Sequence, residues 1–290
     1  MKPTRSSRVT SVEPGPVRAG EALVRLWGDD EAGWVNDWVY VSSERLYQIV
    51  LSMPPGGSFR HSERNRTIFG ADEVYLVLTG SFALVNPVTG EVLRLEAGQA
   101  AWFGPDTWHH GFVLGDTEAT VLEFFAPPPA AGMSQDYART KPYLSTWRWA
   151  DDAVLGASRE RHAGPTPRTT LRRVRPEDTL WRLEGDHAEL LVGIWLSTPR
   201  LTVGTGALPA DRRTGERRHD GDLGLYVREG RLSVVLPSDG GDQVHHLAPG
   251  DGFFVPQGTT YRLANPATGR TGFVFGVAPT YGVGSPSTSP

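Results

Sequence analysis

Cysteine is absent from the 290 residues, which excludes thiolate nucleophiles, thiolate zinc sites and disulfide staples and leaves any metal to histidine, carboxylate or water. Glu73 is the first residue whose type and position suggest chemistry: it heads the apolar run 74–78, where an unpaired carboxylate is costly to bury. A metal would remove that cost, and so would a salt bridge to Arg60, Arg64 or Arg66. His61 and Glu63 are two residues apart, so on a strand they share a face. His109 and His110 are adjacent, so only one of them can point to the inner face of a strand. For each the alternative is a hydrogen-bonded strand histidine. The pair His245-His246 has no carboxylate or histidine spacing around it that suits a metal, and reads as exposed surface.

The elements that must position these groups are short. Tyr47 to Met53, Val74 to Leu78, Ser81 to Val85, Ala100 to Phe103, Val121 to Phe125, Leu190 to Leu196, Leu232 to Leu236, Phe253 to Val255 and Gly272 to Val277 read as strands bounded by turn residues. No helical periodicity of comparable length competes, so the chain is expected to be all-β. Residues 1 to about 20 are open to an edge strand. The stretch from Pro127-Pro128-Pro129 to Pro167 reads as a linker with one short helix near Trp149 to Ser158, and the Ser-, Pro- and Gly-rich tail as disordered.

The second half repeats the first. Gly98 to Pro127 and Gly250 to Pro279 run parallel without a gap at an offset of 152 residues, pairing Thr107 with Thr259, His109 with Tyr261 and Ala126-Pro127 with Ala278-Pro279. Gly80 pairs with Gly230 after a two-residue length change. A period this long means two tandem domains of one fold. The expected division is 1–128, a linker 129–167, 168–282 and a tail 283–290.

A net charge of -4 argues against a nucleic-acid partner, and the run Arg212, Arg213, Arg217, Arg218 is interrupted by Thr214 to Glu216 and reads as a solvated loop. No stretch approaches the ~18 apolar residues of a membrane span, and the start has no apolar leader segment, so the expected setting is cytoplasmic. Phosphate-loop, dinucleotide and nucleophile-elbow motifs are missing.

Two patterns resemble the cupin superfamily, whose motifs are G-x5-H-x-H-x3,4-E-x6-G and G-x5-P-x-G-x2-H-x3-N. In the first half Glu73 precedes Gly80 by the family spacing, and His109 holds the histidine position of the motif that starts at Gly98, although Gly104 and Asp106 replace the usual Pro and Gly. In the second half Gly250, Pro256, Gly258 and Asn265 match, but Tyr261 replaces the histidine, Leu223 replaces the glutamate, and His219 alone survives of the ligand positions. The resemblance implies a bicupin: two tandem antiparallel β-barrels of the double-stranded β-helix type. It further implies metal ligands His61, Glu73 and His109, with Glu63 as a fourth; His61 lies twelve residues before Glu73, so residues 64–71 would form an inserted loop. Motif register selects His109 over His110.

Two imidazoles and a carboxylate with open positions suit Fe(II), and also accept Mn, Ni, Cu or Zn. The leading expectation is an Fe(II) oxygenase that binds O2 and a small polar or aromatic substrate in the N-terminal barrel. Arg60 is expected to grip a substrate carboxylate, and Tyr75 to line the pocket with Tyr47, Trp102, Phe103 and Trp108. A metal-dependent isomerase, lyase or decarboxylase is the alternative, and a non-catalytic binding module a third. Exposed strands make a homodimer reasonable.

Overall fold

The structure, a computed structural model, describes residues 9–128, 133–148 and 169–282. It is nearly all strand. The first half contains β1 (Gly15–Val17), β2 (Leu23–Asp29), β3 (Gly33–Ser42), β4 (Tyr47–Met53), β5 (Ser58–Phe59), β6 (Asp72–Thr79), β7 (Ser81–Asn86), β8 (Glu91–Glu96), β9 (Ala100–Phe103), β10 (His110–Leu114) and β11 (Ala119–Ala126). After helix α1 (Met133–Arg139) the second half contains β12 (Arg172–Val174), β13 (Leu180–Glu184), β14 (Leu190–Ser197), β15 (Thr202–Leu208) and β16 (Asp222–Glu229). It finishes with β17 (Leu232–Leu236), β18 (Gln243–Leu247), β19 (Gly252–Val255), β20 (Arg262–Ala264) and β21 (Thr271–Ala278).

Each half has one large and one small antiparallel sheet. The large sheets run β12-β9-β6-β11-β4-β3-β2 and β1-β19-β16-β21-β15-β14-β13; the small ones run β5-β10-β7-β8 and β18-β17-β20. The halves exchange strands. β1 from the start of the chain closes the second large sheet by pairing with β19, and β12 closes the first by pairing with β9. The contiguous division at 128 and 168 is therefore corrected at two places: Gly15–Val17 belong to the second sheet and Arg172–Val174 to the first. The short helix expected near Trp149 to Ser158 and the tail 283–290 lie outside the described residues.

Strand alternation gives each large sheet two apolar faces. On β6, Tyr75 and Val77 point to the interior of the first half, while Val74 and Leu76 point to the other half. On β11, Val121 and Phe125 are interior, and Leu122, Phe124 and Ala126 face across. The outward sets meet Leu201, Val203, Phe254 and Val274 in a shared core that locks the two large sheets back to back. Gly276 is glycine because a side chain there would press into the ring of Phe124. Polar ties cross the same seam: Arg200 Nε meets Asp72 Oδ2 at 2.9 Å, and the Tyr40 hydroxyl donates to the Gly250 carbonyl at 2.8 Å. The repeat shows in the turns, since Gly98 and Gly250 hold φ of 87° and 92°, where a Cβ is strained.

Candidate active site

Three strands of the first large sheet, β6, β11 and β3, and one loop place the polar groups inside the first half. On β6, Glu73 and Tyr75 alternate inward; on β11, Glu123 sits opposite Tyr75 and Phe125 opposite Glu73, so the two glutamates are diagonal neighbours on one face. Asp37 enters from β3, and His109 from the loop that follows β9. Glu73, Tyr75, His109 and Glu123 are all at least nine-tenths buried.

Glu73, Glu123 and Tyr75 form one hydrogen-bonded chain, and His109 stands at its end. Burial pushes the Glu73 carboxyl well above the usual carboxylate range, and the charge of Glu123 adds to this. Glu123 is raised as well, first by burial and then by Asp37, while hydrogen bonds from Glu73 and Tyr75 oppose the rise. Glu73 thus holds a proton and donates it to Glu123, to which the Tyr75 hydroxyl also donates. Burial likewise keeps Tyr75 neutral, raised well above its ordinary value. The Tyr75 oxygen lies 3.3 Å from His109 Nε2. His109 Nδ1–H donates to the Thr107 carbonyl at 3.3 Å, which leaves Nε2 as an acceptor, and burial lowers this imidazole to about 4. Moving the Tyr75 proton from Glu123 to His109 requires only a rotation of its hydroxyl.

Above this floor lies a cavity of about 170 Å³. Tyr75, His109, Glu123 and Asp37 line it together with aromatic walls from Trp27, Tyr47, Phe59, Phe69 and Phe125 and with the guanidinium groups of Arg25 and Arg66. Glu73 lies beneath, as a partner of the lining residues.

The expected metal set does not converge. Glu73 Oε2 and His109 Nε2 face each other at 3.6 Å, and Glu73 Oε2 has no hydrogen-bond partner. His61 is elsewhere: its Nδ1 is 2.7 Å from His110 Nε2 and its Nε2 2.7 Å from the Leu144 carbonyl, among the rings of Trp108, Tyr143 and Trp147. The alternation argument fails there because β5 stops at Phe59. Ser62 and Asn65 are instead tied to Asp29 by hydrogen bonds of 2.6 Å each, which turns residues 60–66 away from the cavity. Glu63 is exposed, and Arg60 does not line the cavity. His110 is fully buried and pushed down to about 2, by burial first and by His61 second. Among the described residues no three histidine or acidic side chains stand as a metal-holding group. Two facing donors fall short of the three or four that hold a divalent ion, so the residues as arranged do not fit the implied metal.

Sequence reasoning missed Glu123, Asp37 and Arg25. For Glu123 the signal was present: it is the one charge in the run 121–125, and it shares parity with the inward Val121 and Phe125.

In the second half the equivalent space is filled. Arg217 Nη2 pairs with Glu184 Oε2 at 2.6 Å and donates to the Tyr281 hydroxyl at 2.8 Å, while the Tyr261 hydroxyl lies 2.8 Å from His219 Nε2. About 10 Å³ remains, room for one water at most.

No family model matches the chain, and no curated protein matches it in sequence. Solved structures do match in shape. AerE from Microcystis aeruginosa superposes with a TM-score of 0.58 at 7% identity, covering 89% of this chain and 98% of that one. A variant of the Bacillus subtilis oxalate decarboxylase gives 0.61 at 14% identity, covering 94% and 79%. The formate complex of the Lactobacillus farciminis oxalate decarboxylase gives 0.58 at 14%, covering 93% and 88%. The fold is of the tandem cupin type. The all-β expectation holds, and at these identities the likeness speaks for fold alone. Among the described residues no helix is long and apolar enough to cross a membrane.

Proposed function

We propose that the chain is an enzyme whose N-terminal cavity moves protons on a small metabolite, in the isomerase, lyase or decarboxylase class. The observation that carries this reading is the buried Glu73–Glu123 pair, joined through Tyr75 to His109 at the floor of a cavity of substrate size. Pairs of carboxyls pushed out of their ordinary range in a cleft are the usual equipment of general acid–base catalysis. Glu123, ionised and lining the cavity, is the base that takes a proton from substrate and returns it to a carbon of the product, while Glu73 keeps its own proton and donates to Glu123 throughout. The Tyr75 hydroxyl turns from Glu123 to meet negative charge that develops on a substrate oxygen, and His109 Nε2 is the alternative acceptor of its hydrogen bond. Two of these solved neighbours are oxalate decarboxylases, which supports a carboxylic acid as the substrate.

The Fe(II) oxygenase reading has one observation in its favour, the unpartnered Glu73 Oε2 facing His109 Nε2. An Fe(II), Mn, Ni, Cu or Zn ion held by these two donors alone would bind weakly, so no step is routed through an ion.

A direct test is solvent exchange: a panel of small keto and carboxylic acids in D2O, followed by proton NMR. Wild type is expected to exchange or convert at least one acid, and Glu123→Gln to lose that activity by about 100-fold or more. Equal rates in the two proteins would remove Glu123 as the base.

A further inference from the structure

We infer that the N-terminal cavity binds a single-ring monocarboxylate and that Arg25 grips its carboxylate. This rests on the assignment of that cavity as the active site, and adds the class of ligand.

Two guanidinium groups line the cavity, and only one is committed. Arg66 donates through Nη1 to the Ala138 carbonyl at 3.0 Å and through Nε to the Glu63 carbonyl at 3.3 Å, and its Cζ stands 5.1 Å from the Tyr143 ring centre. It fastens the segment that contains α1. Arg25 makes no hydrogen bond or ion pair among the described residues, although it is half-buried and directly opposite Asp37 in the β2–β3 ladder. A partly desolvated guanidinium with all its donors open is suited to a two-pronged contact with a carboxylate.

The volume and the walls set the rest of the ligand. A dry cavity of roughly 150 Å³ holds one benzene, so about 170 Å³ holds one six-membered ring with little to spare. Trp27, Phe59, Phe69 and Phe125 supply an apolar lining for such a ring. Leu26, 63% exposed on the same strand as Arg25, marks the entrance. The carboxylate therefore sits at the mouth, and the ring reaches down toward Glu123 and Tyr75. A second carboxylate at the inner end would meet Glu123, so dicarboxylates are disfavoured. The Arg60 expectation is thereby replaced: the chemistry anticipated for it falls to Arg25, on a strand that sequence reading did not foresee.

The test is calorimetric titration of the full chain with benzoate, cyclohexanecarboxylate, benzamide and oxalate. Benzoate is expected to bind wild type at least about tenfold more tightly than benzamide, as a charge-assisted pair requires. Arg25→Gln should bring benzoate down to the level of benzamide and leave benzamide unchanged. Arg25→Lys should fall between, and Arg64→Gln, on the exposed loop, should match wild type. Unchanged benzamide binding shows that the variant is folded. Equal affinity of wild type for benzoate and benzamide, an Arg25→Gln protein that keeps its benzoate preference, or oxalate binding as tightly as benzoate would each overturn the inference. Glu123→Gln separates the two readings: it should retain the benzoate preference even though it loses proton exchange.

Discussion

Replacing Glu73 by glutamine should make the protein more stable at neutral pH, and the size of the gain follows from the proton that Glu73 takes up on folding. In the unfolded chain a glutamate ionises near 4.5, whereas in the fold burial raises both Glu73 and Glu123 well above that value. Folding above pH 4.5 must then take up a proton. The stability associated with the raised carboxyls is fully present below 4.5 and is lost as pH rises toward the folded values, at about 1.4 kcal/mol per pH unit for each proton. If the fold keeps one proton at pH 7, the cost there is about 3 kcal/mol. Glutamine at position 73 retains the shape of Glu73 and donates to Glu123 through its amide, while removing the group that takes up the proton. His109 contributes a slope of the opposite sign: lowered to about 4, it supplies stability above 6.5 that is lost as pH falls toward 4. Because both proteins contain His109, the difference between them isolates the carboxyls. Urea unfolding at pH 5, 6, 7 and 8 should show a gap in favour of Glu73→Gln that widens with pH. Parallel curves, or a variant less stable by the same amount at every pH, would refute the shared proton.

Other perturbations reach other parts of the account. Gly276→Ala should cost ~1–3 kcal/mol in urea unfolding, because its methyl group presses into Phe124 within the core shared by the halves. His61→Ala should speed tryptic cleavage after Arg139, since the histidine ties the Leu144 carbonyl to His110, and should leave metal content unchanged. Trp181→Glu, on the outermost strand β13 where Leu180, Trp181 and Leu183 are all more than half exposed, should convert a homodimer to monomers in sedimentation. An unchanged mass would remove that edge as the dimer surface.

Much of the fold was legible because period-two alternation and turn glycines are local signals. Tyr47–Met53, Ala100–Phe103 and Leu232–Leu236 are strands with the bounds the sequence suggests. The strand exchange was not legible, since nothing in the three residues of β1 says which sheet edge is open to them. At the site, Glu73 and His109 were found through motif spacing and Tyr75 as an aromatic wall of the pocket, and the structure brings the three together. His61 misled because period-two reasoning holds only inside a strand, and β5 ends two residues earlier. Arg25 had no local signal at all; its meaning comes from the cavity it lines and from the absence of a partner among the described residues.

The most direct measurement is the infrared spectrum of the protein at pH 7.5 in D2O, read beside Glu123→Gln and Glu73→Gln and with metal content determined on the same samples. The account predicts a protonated carboxylic-acid C=O band in wild type that shifts or disappears in both variants, with far less than one transition ion per chain. A spectrum without that band, together with about one Fe or other divalent ion per chain that is lost from Glu73→Gln, would contradict it.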